Sequence, residues 1–290
     1  MSEFRIAPDL LGLEGAVAVV TGGGAGVGRG CALQLARAGC HVAVVDVNTE
    51  AGERTAAEIR ALGRRAIFLA VDVRRREAVQ SMVTDVVAAL GGLDVMVANV
   101  GHPLHIGPVL DLGEEQWDEV FALDLKTTLF CAQAAAVSMV EREVRGRIVT
   151  VSSSSGITGA PGIAAYGAAK AGVIHLTKTL ALELAPYGIR VNCVVPGTHL
   201  TEAMRATLEG GGPMADYIRA AGKAMPLGRL GEPPETGGVA VFLASNLSAY
   251  MTGHAVISDG GITHTTNRPP VASTQTPRAL AHVTRLQGGS

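Results

Sequence analysis

A chain of 290 residues, 48% hydrophobic and 17% charged, is long enough to enclose one continuous α/β core. The formal net charge of -2 offers no basic field for a polyphosphate backbone, which excludes nucleic acid as the expected partner. Apolar runs such as Ala16 to Val20 fall well below the ~20 residues that span a bilayer, and Met1 to Leu13 lack the basic start and apolar run of a signal peptide, so no membrane partner and a cytoplasmic location are expected.

Residues 1–10 read as an N-terminal extension, 11–263 as one domain and 264–290 as a tail that is partly disordered or inter-subunit, being rich in Thr, Pro, Ser and Gln. Within the domain, β-branched runs at Ala16 to Thr21, His41 to Val45, Ala66 to Val71, Val95 to Ala98, Arg147 to Val151, Arg190 to Val195 and Ala255 to Ser258 are the expected strands. Segments such as Arg29 to Ala38 and Ala51 to Leu62 carry the 3.6-residue apolar spacing of helices between them. The alternation predicts a Rossmann-like, doubly wound α/β fold with a seven-stranded parallel sheet and helices on both faces. Cys31, Cys40, Cys131 and Cys193 lie in apolar stretches with no C-x-x-C, as small core residues of a reducing compartment would. The eight histidines show no metal-ligand spacing, and no metal is expected.

The first strand runs into Thr21-Gly22-Gly23-Gly24-Ala25-Gly26-Val27-Gly28 and straight on into a helix. Such a turn brings backbone N–H groups and a positive helix end to a diphosphate, with glycine where a Cβ would block the approach. The spacing is T-G-x-x-x-G-x-G, which does not satisfy G-x-G-x-x-G. Asp46 closes the second strand about 20 residues later, where a carboxylate accepts both hydroxyls of an adenosine ribose and repels a 2′-phosphate. Neither Ala25 nor Val47 is basic, so NAD is expected as cofactor in preference to NADP. Asp72 with Val73, and Asn99-Val100-Gly101, fall at the same carboxyl edge of the sheet.

After the fifth strand come Ser152-Ser153-Ser154-Ser155, then Tyr166 and Lys170, which stand i and i+4 on one helical face. An ammonium close to a phenol favours the phenolate, which makes Tyr166 the expected acid/base and Ser153 the hydroxyl that holds the same substrate oxygen. Thr198 to Leu230 departs from the βα rhythm, with Met204, Leu208, Met214, Tyr217, Ile218 and Met225 interrupted by Gly210-Gly211-Gly212, and reads as a mobile apolar lid. Ser155, His102, His105, His199 and Met204 are the candidates for the substrate side.

The ordered series Thr21 to Gly28, Asp46, Asp72, Asn99 to Gly101, Ser153, Tyr166, Lys170 and Pro196-Gly197-Thr198-His199-Leu200-Thr201 resembles the short-chain dehydrogenase/reductase family over about Leu11 to Gly261. The resemblance implies that Thr201 and the backbone at Val191 to Pro196 meet the nicotinamide carboxamide, that Gly197, Tyr166 and Lys170 also bind the cofactor, that the active unit is a homotetramer or dimer, and that no metal takes part. Family members carry Asn where this chain has Asp124, a catalytic position that relays protons through water towards Lys170. The expected function is hydride transfer between NAD(H) and a secondary alcohol or ketone, hydrophobic or alicyclic. A 3-oxoacyl-thioester reductase acting on acyl carrier protein stands as the alternative, Asp46 counting against its usual NADPH. A dinucleotide-sensing or scaffold protein is the alternative of another class, against which the presence of Ser153, Tyr166 and Lys170 counts.

Overall fold

Seven short runs rich in Val and Ile pair as one parallel sheet in the order β3-β2-β1-β4-β5-β6-β7. They are β1 (Val17–Thr21), β2 (His41–Asp46), β3 (Ala66–Ala70), β4 (Val95–Ala98), β5 (Arg147–Val151), β6 (Arg190–Pro196) and β7 (Ala255–Ser258). Each expected strand is present, displaced by no more than one residue at an end. The computed structural model describes residues 9–265, so most of the N-terminal extension and nearly all of the expected tail lie outside the described residues. The α-helices among the described residues are α1 (Gly26–Arg37), α2 (Thr49–Ala61), α3 (Arg76–Leu90), α4 (Glu114–Phe121), α5 (Thr127–Glu141), α6 (Ala164–Leu184), α7 (Glu202–Gly210), α8 (Pro213–Ala224) and α9 (Pro233–Ala244).

Successive strand residues point to opposite faces, and here both faces are buried. Val17, Val19, Met96, Ala98 and Ile148 pack with apolar residues of α3, α5 and α6 on one side. Ala18, Val20, Val95, Val97 and Val149 pack with those of α1, α2 and α9 on the other. Each such aliphatic side chain taken from water contributes about 1.5–3 kcal/mol, so the two layers hold the strands in register. Helices α1 and α9 cross so closely that a Cβ on Gly237 would stand 2.5 Å from the carbonyl oxygen of Gly30.

Val17 is level with His41 of β2, and Ala18 with Val95 of β4. The chain leaves β1 in one direction for β2 and β3 and returns on its other side for β4, which opens a crevice beyond the carboxyl ends of β1 and β4. Helix α4, a π-helical turn over Ala122–Lys126 and α5 form one run, Glu114–Glu141, that by length and composition alone is apolar enough to cross a membrane. Its Cys131, Ala132, Ala135, Ala136 and Met139 are packed on the sheet, as in a core helix. All four cysteines are buried and free, and burial pushes the Cys31, Cys40 and Cys131 thiols up to about 12.

Candidate active site

A cleft of about 710 Å³ lies at that crevice, walled by Gly22, Gly26 to Gly28, Asp46, Asp72 to Arg74, Asn99 to His102 and Thr201 to Ala203. The glycine turn is shaped for a close approach. A Cβ on Gly28 would collide with the carbonyl oxygen of Gly22, and Gly22 and Gly26 have φ of 63° and 52°, values L side chains rarely adopt. The N-cap of α1 is Ala25, whose side chain caps nothing, and the first turn holds no acidic residue, so its N–H groups face the cleft without a cap of their own helix.

Thr21 and Asn99 brace the turn. The Thr21 hydroxyl is buried, donating to Val97 O at 3.3 Å and accepting from Asn99 N–H at 3.1 Å, and Asn99 Nδ2 donates to Thr21 O at 3.0 Å. Thr21, expected to touch the cofactor, is therefore placed behind the wall of the cleft. Asp46 is in the wall, where Oδ2 accepts Gly24 N–H and Oδ1 accepts Asn48 N–H, each at 2.9 Å. A carboxylate oxygen has a second lone pair, so these bonds aim the group while leaving it able to accept from a ribose. Asp72 is gripped by the guanidinium of Arg74 at 2.7–3.1 Å, which holds its carboxyl below the usual range. Val73 beside it is buried.

Helix α6 sets Tyr166 and Lys170 one turn apart, with Lys170 Nζ 5.6 Å from the Tyr166 ring centroid. The segment after β5 is bolted to this helix: Ser152 Oγ donates to Lys170 O at 2.7 Å, and a Cβ on Gly156 would press into the backbone at Lys170 and Ala171. Ser153 opens the short turn Ser154–Gly156, its Oγ accepting Ser155 N–H at 3.2 Å, so Ser153 and Ser155 are fixed against the start of α6.

Among the described residues Lys170 is the largest fully buried side chain, its Nζ donating to Val151 O at 3.2 Å. Asp124 Oδ1 lies 3.2 Å from the same nitrogen and is wholly buried. Among the described residues the Asp124 oxygens have no well-formed hydrogen bond, the Lys170 ammonium and the His102 backbone being the donors nearest to that geometry. Burial raises the Asp124 carboxyl above its usual value, the Lys170 ammonium pulling the other way. Gly101 covers the pair so closely that a Cβ there would collide with both Asp124 Oδ1 and Lys170 Nζ. The Asp124 main-chain carbonyl accepts from Thr128 Oγ1 at 2.9 Å.

The remaining expectations separate. His102 lines the cleft, and its Nδ1 accepts Leu104 N–H at 3.0 Å. His105 pairs with Glu119 at 2.8 Å, and Met204 sits half-buried on α7 in the lid. His199 does not reach the crevice: its Nδ1 donates to Gly197 O at 2.9 Å, its Nε2 accepts from Thr236 Oγ1 at 2.7 Å, and burial lowers its pKa. This ring ties the start of the lid to α9. Pro196 is buried and Gly197 N–H donates to Ser258 O at 3.0 Å, so both support the segment that presents Thr201. The lid is two helices, α7 and α8, joined through Gly211 and Gly212 at φ 72° and 86°. Sequence reasoning missed Arg74, Leu123 and Glu202 as cleft residues. Arg74, two residues past Asp72 at a strand's carboxyl end, carried a signal; Glu202 carried none. Among the described residues no three His, Cys, Asp or Glu side chains are grouped to hold a metal ion.

A family model described as enoyl-(acyl carrier protein) reductase matches residues 22–263. The chain is 38% identical over 279 residues to a cyclohexanol dehydrogenase of Rhodococcus sp. strain TK6, covering 88% of this chain and 99% of that one. It is 34% identical over 251 residues to a 2,5-dichloro-2,5-cyclohexadiene-1,4-diol dehydrogenase of Sphingobium indicum, covering 87% and 98%. A solved NAD+-bound xylitol dehydrogenase superposes with a TM-score of 0.80 at 33% identity, covering 86% of this chain and 100% of that one. With the glycine turn and the Tyr166 and Lys170 helix standing where the fold requires them, the chain belongs to the short-chain dehydrogenase/reductase family.

Proposed function

We propose that the protein moves a hydride between NAD(H) and a secondary alcohol or ketone that is hydrophobic or alicyclic. The observation that carries this reading is the buried Lys170 beneath Tyr166, beside a cleft whose glycine turn carries helix N–H groups with no side-chain cap from the N-cap residue Ala25. The nicotinamide dinucleotide supplies the hydride acceptor or donor when bound. Its place fits the residues present: the uncapped α1 N-terminus for the diphosphate, Asp46 for the adenosine ribose, Asp72 and Val73 at the adenine side, Thr201 at the nicotinamide side.

The proton belongs to the chain's own groups. In oxidation Tyr166 takes the hydroxyl proton from the substrate oxygen while Ser153 holds that oxygen; in reduction Tyr166 returns a proton to it. Lys170 stands one turn below the phenol, buried away from water with the Asp124 carboxyl 3.2 Å from its Nζ. The lid, 198–230, is read as the wall for the organic part of the substrate, with Met204 as an adaptable contact; His102 lines the cleft, and Ser155 and His105 are assigned to the substrate side without lining it. Likeness to the cyclohexanol and cyclohexadiene-diol dehydrogenases favours a ring substrate.

Asp46 supports NAD over NADP, because its charge faces a 2′-phosphate and Arg74, a cation in the cleft wall, is already held by Asp72. Buried free thiols accord with a cytoplasmic enzyme. Self-association as a tetramer or dimer is supported by an apolar groove of about 920 Å³ between α5 and α6, where Leu125, Leu129, Gly172 and Leu176 are lining residues. The test is NADH formation by purified protein across a panel of secondary alcohols, alongside NADP+. Catalytic efficiency with NAD+ is expected to be higher by tenfold or more, ~1.4 kcal/mol of discrimination, and equal efficiencies would refute the role given to Asp46.

A further inference from the structure

Of the three histidines expected on the substrate side, two are committed to the protein itself. His199 is tied to Gly197 and Thr236, and His105 is paired with Glu119 at 2.8 Å. His102 is held on one side only: its Nδ1 accepts Leu104 N–H at 3.0 Å, and among the described residues its Nε2 has no hydrogen-bond partner. A backbone N–H can only donate, so Nδ1 is the bare nitrogen and the ring hydrogen sits on Nε2. The imidazole is therefore an N–H donor with a fixed tautomer, and it lines the cleft.

The ring is aimed by its own stretch of backbone. Leu104 takes φ 48°, which L side chains rarely adopt, between Pro103 and His105, whose N–H returns to Pro103 O. The bond from Leu104 N–H to the imidazole closes this turn. Immediately before it, Gly101 covers Lys170 Nζ and Asp124 Oδ1. Burial raises the Asp124 carboxyl, and the Lys170 ammonium and the His102 backbone N–H pull against that rise, so His102 is rooted beside the Asp124 and Lys170 pair. Tyr166 stands one helical turn from Lys170, which puts the proposed reacting centre and the His102 ring in one neighbourhood.

Around this donor the rim is apolar, with Leu104, Ile106, Val109 and Leu110 exposed. A ligand site of this kind takes the body of its ligand on apolar surface and fixes the orientation with few polar groups. Tyr166 and Ser153 are assigned to the reacting oxygen, which leaves the His102 N–H for a different oxygen of the same molecule. We propose that His102 is a specificity-determining residue that donates its Nε2–H to a second oxygen of the substrate, so that the molecule oxidised is a ring diol or hydroxy ketone rather than a ring with a single hydroxyl. The inference rests on reading the cleft as a hydride-transfer site and names the substrate class of that site. The second oxygen takes no part in the chemistry: the hydride leaves the carbinol carbon for the bound nicotinamide, the hydroxyl proton goes to Tyr166, and the bond from His102 is made on binding and kept.

The test sets trans-1,2-cyclohexanediol and 1,4-cyclohexanediol against cyclohexanol, read as kcat/KM from NADH formation by wild type, His102→Asn and His102→Ala. Asparagine keeps both an acceptor for Leu104 N–H and an N–H donor, whereas alanine has neither. Wild type is expected to favour the better diol by about tenfold or more, His102→Asn to keep a preference of about threefold, and His102→Ala to bring the ratio close to one. A wild-type preference for cyclohexanol overturns the inference. A diol preference that survives in His102→Ala also overturns it, because His102 then only shapes the turn. An effect confined to the KM for NAD+ overturns it as well, because the ring then faces the cofactor. Oxidation of none of the three alcohols would instead overturn the ring-alcohol reading of the site and the inference with it.

Discussion

The floor of the active site and the lid over it face one cleft but are held in opposite ways. Under the cofactor place, Thr21 and Asn99 clamp the glycine turn from inside, and Lys170 is enclosed with Asp124 beneath Gly101. Over it, α7 buries no residue, α8 buries Ala215, Ile218 and Gly222, and ion pairs such as Arg205 with Glu232 do much of the fastening. An exposed ion pair contributes about 0–1 kcal/mol, whereas a buried aliphatic side chain contributes about 1.5–3 kcal/mol. The positions of the proposed reacting groups are therefore fixed by packing, and the proposed substrate wall is left adjustable by polar ties.

The largest effect expected from the floor is chemical. Tyr166→Phe keeps the ring and removes the proton carrier, so turnover should fall at least about a hundredfold with NADH affinity nearly unchanged, as single-turnover kinetics and fluorescence titration would show. Residual turnover near wild type would transfer the proton step to another group. Next comes a paired glycine experiment. Gly101→Ala drives a methyl group into Asp124 Oδ1 and Lys170 Nζ and should cost about 1–3 kcal/mol in stability together with a loss of turnover. Gly210→Ala in the lid meets nothing within 4 Å and should leave thermal stability within about 0.5 kcal/mol. Equal costs at the two sites would break the contrast between floor and lid.

Asp124→Asn sharpens it. The folded protein holds the Asp124 proton more tightly than the unfolded chain, because burial raises this carboxyl, so its contribution to stability is complete below the ordinary value of 3.8 and is lost as pH rises through the raised one. The Tm of Asp124→Asn minus that of wild type should accordingly increase with pH across that window and then level off, while turnover stays within about tenfold. A flat difference would mean that Lys170 compensates the carboxyl fully. The smallest effect concerns His199, which burial favours in the neutral form. Its contribution is complete above the ordinary value of 6.5 and declines as pH falls through the lowered one, and His199→Gln should remove this part of the acid sensitivity in Tm profiles.

The strands were legible because a parallel sheet buried on both faces demands unbroken β-branched runs, a local signal that Val17–Thr21 and Val95–Ala98 carry openly. The glycine turn and the Tyr166 and Lys170 pair were legible for the same reason, each being a short local pattern on a strand end or one helical face. What was hidden depends on contacts between distant residues. Glu202 reaches Gly26 across 176 positions, and no periodicity reports such a pairing. His199 looked like a crevice residue because it follows Pro196 and Gly197, yet Thr236 on α9 turns it inward. Thr21 looked like a cofactor contact, and only the placement of Val97 and Asn99 reveals where its hydroxyl goes.

The π-helical turn over Ala122–Lys126 gives the chain a numerical constraint as well as a shape. One residue advances an α-helix by about 100°, so a turn that accommodates an extra residue rotates everything beyond it relative to everything before it by that angle. Deleting any single residue between α4 and α5 would let the helix run regularly, and either the face that carries Val120 or the face that packs Cys131 and Met139 on the sheet would have to swing away. Asp124 stands in the middle of that conflict, which makes this stretch intolerant of any change in length.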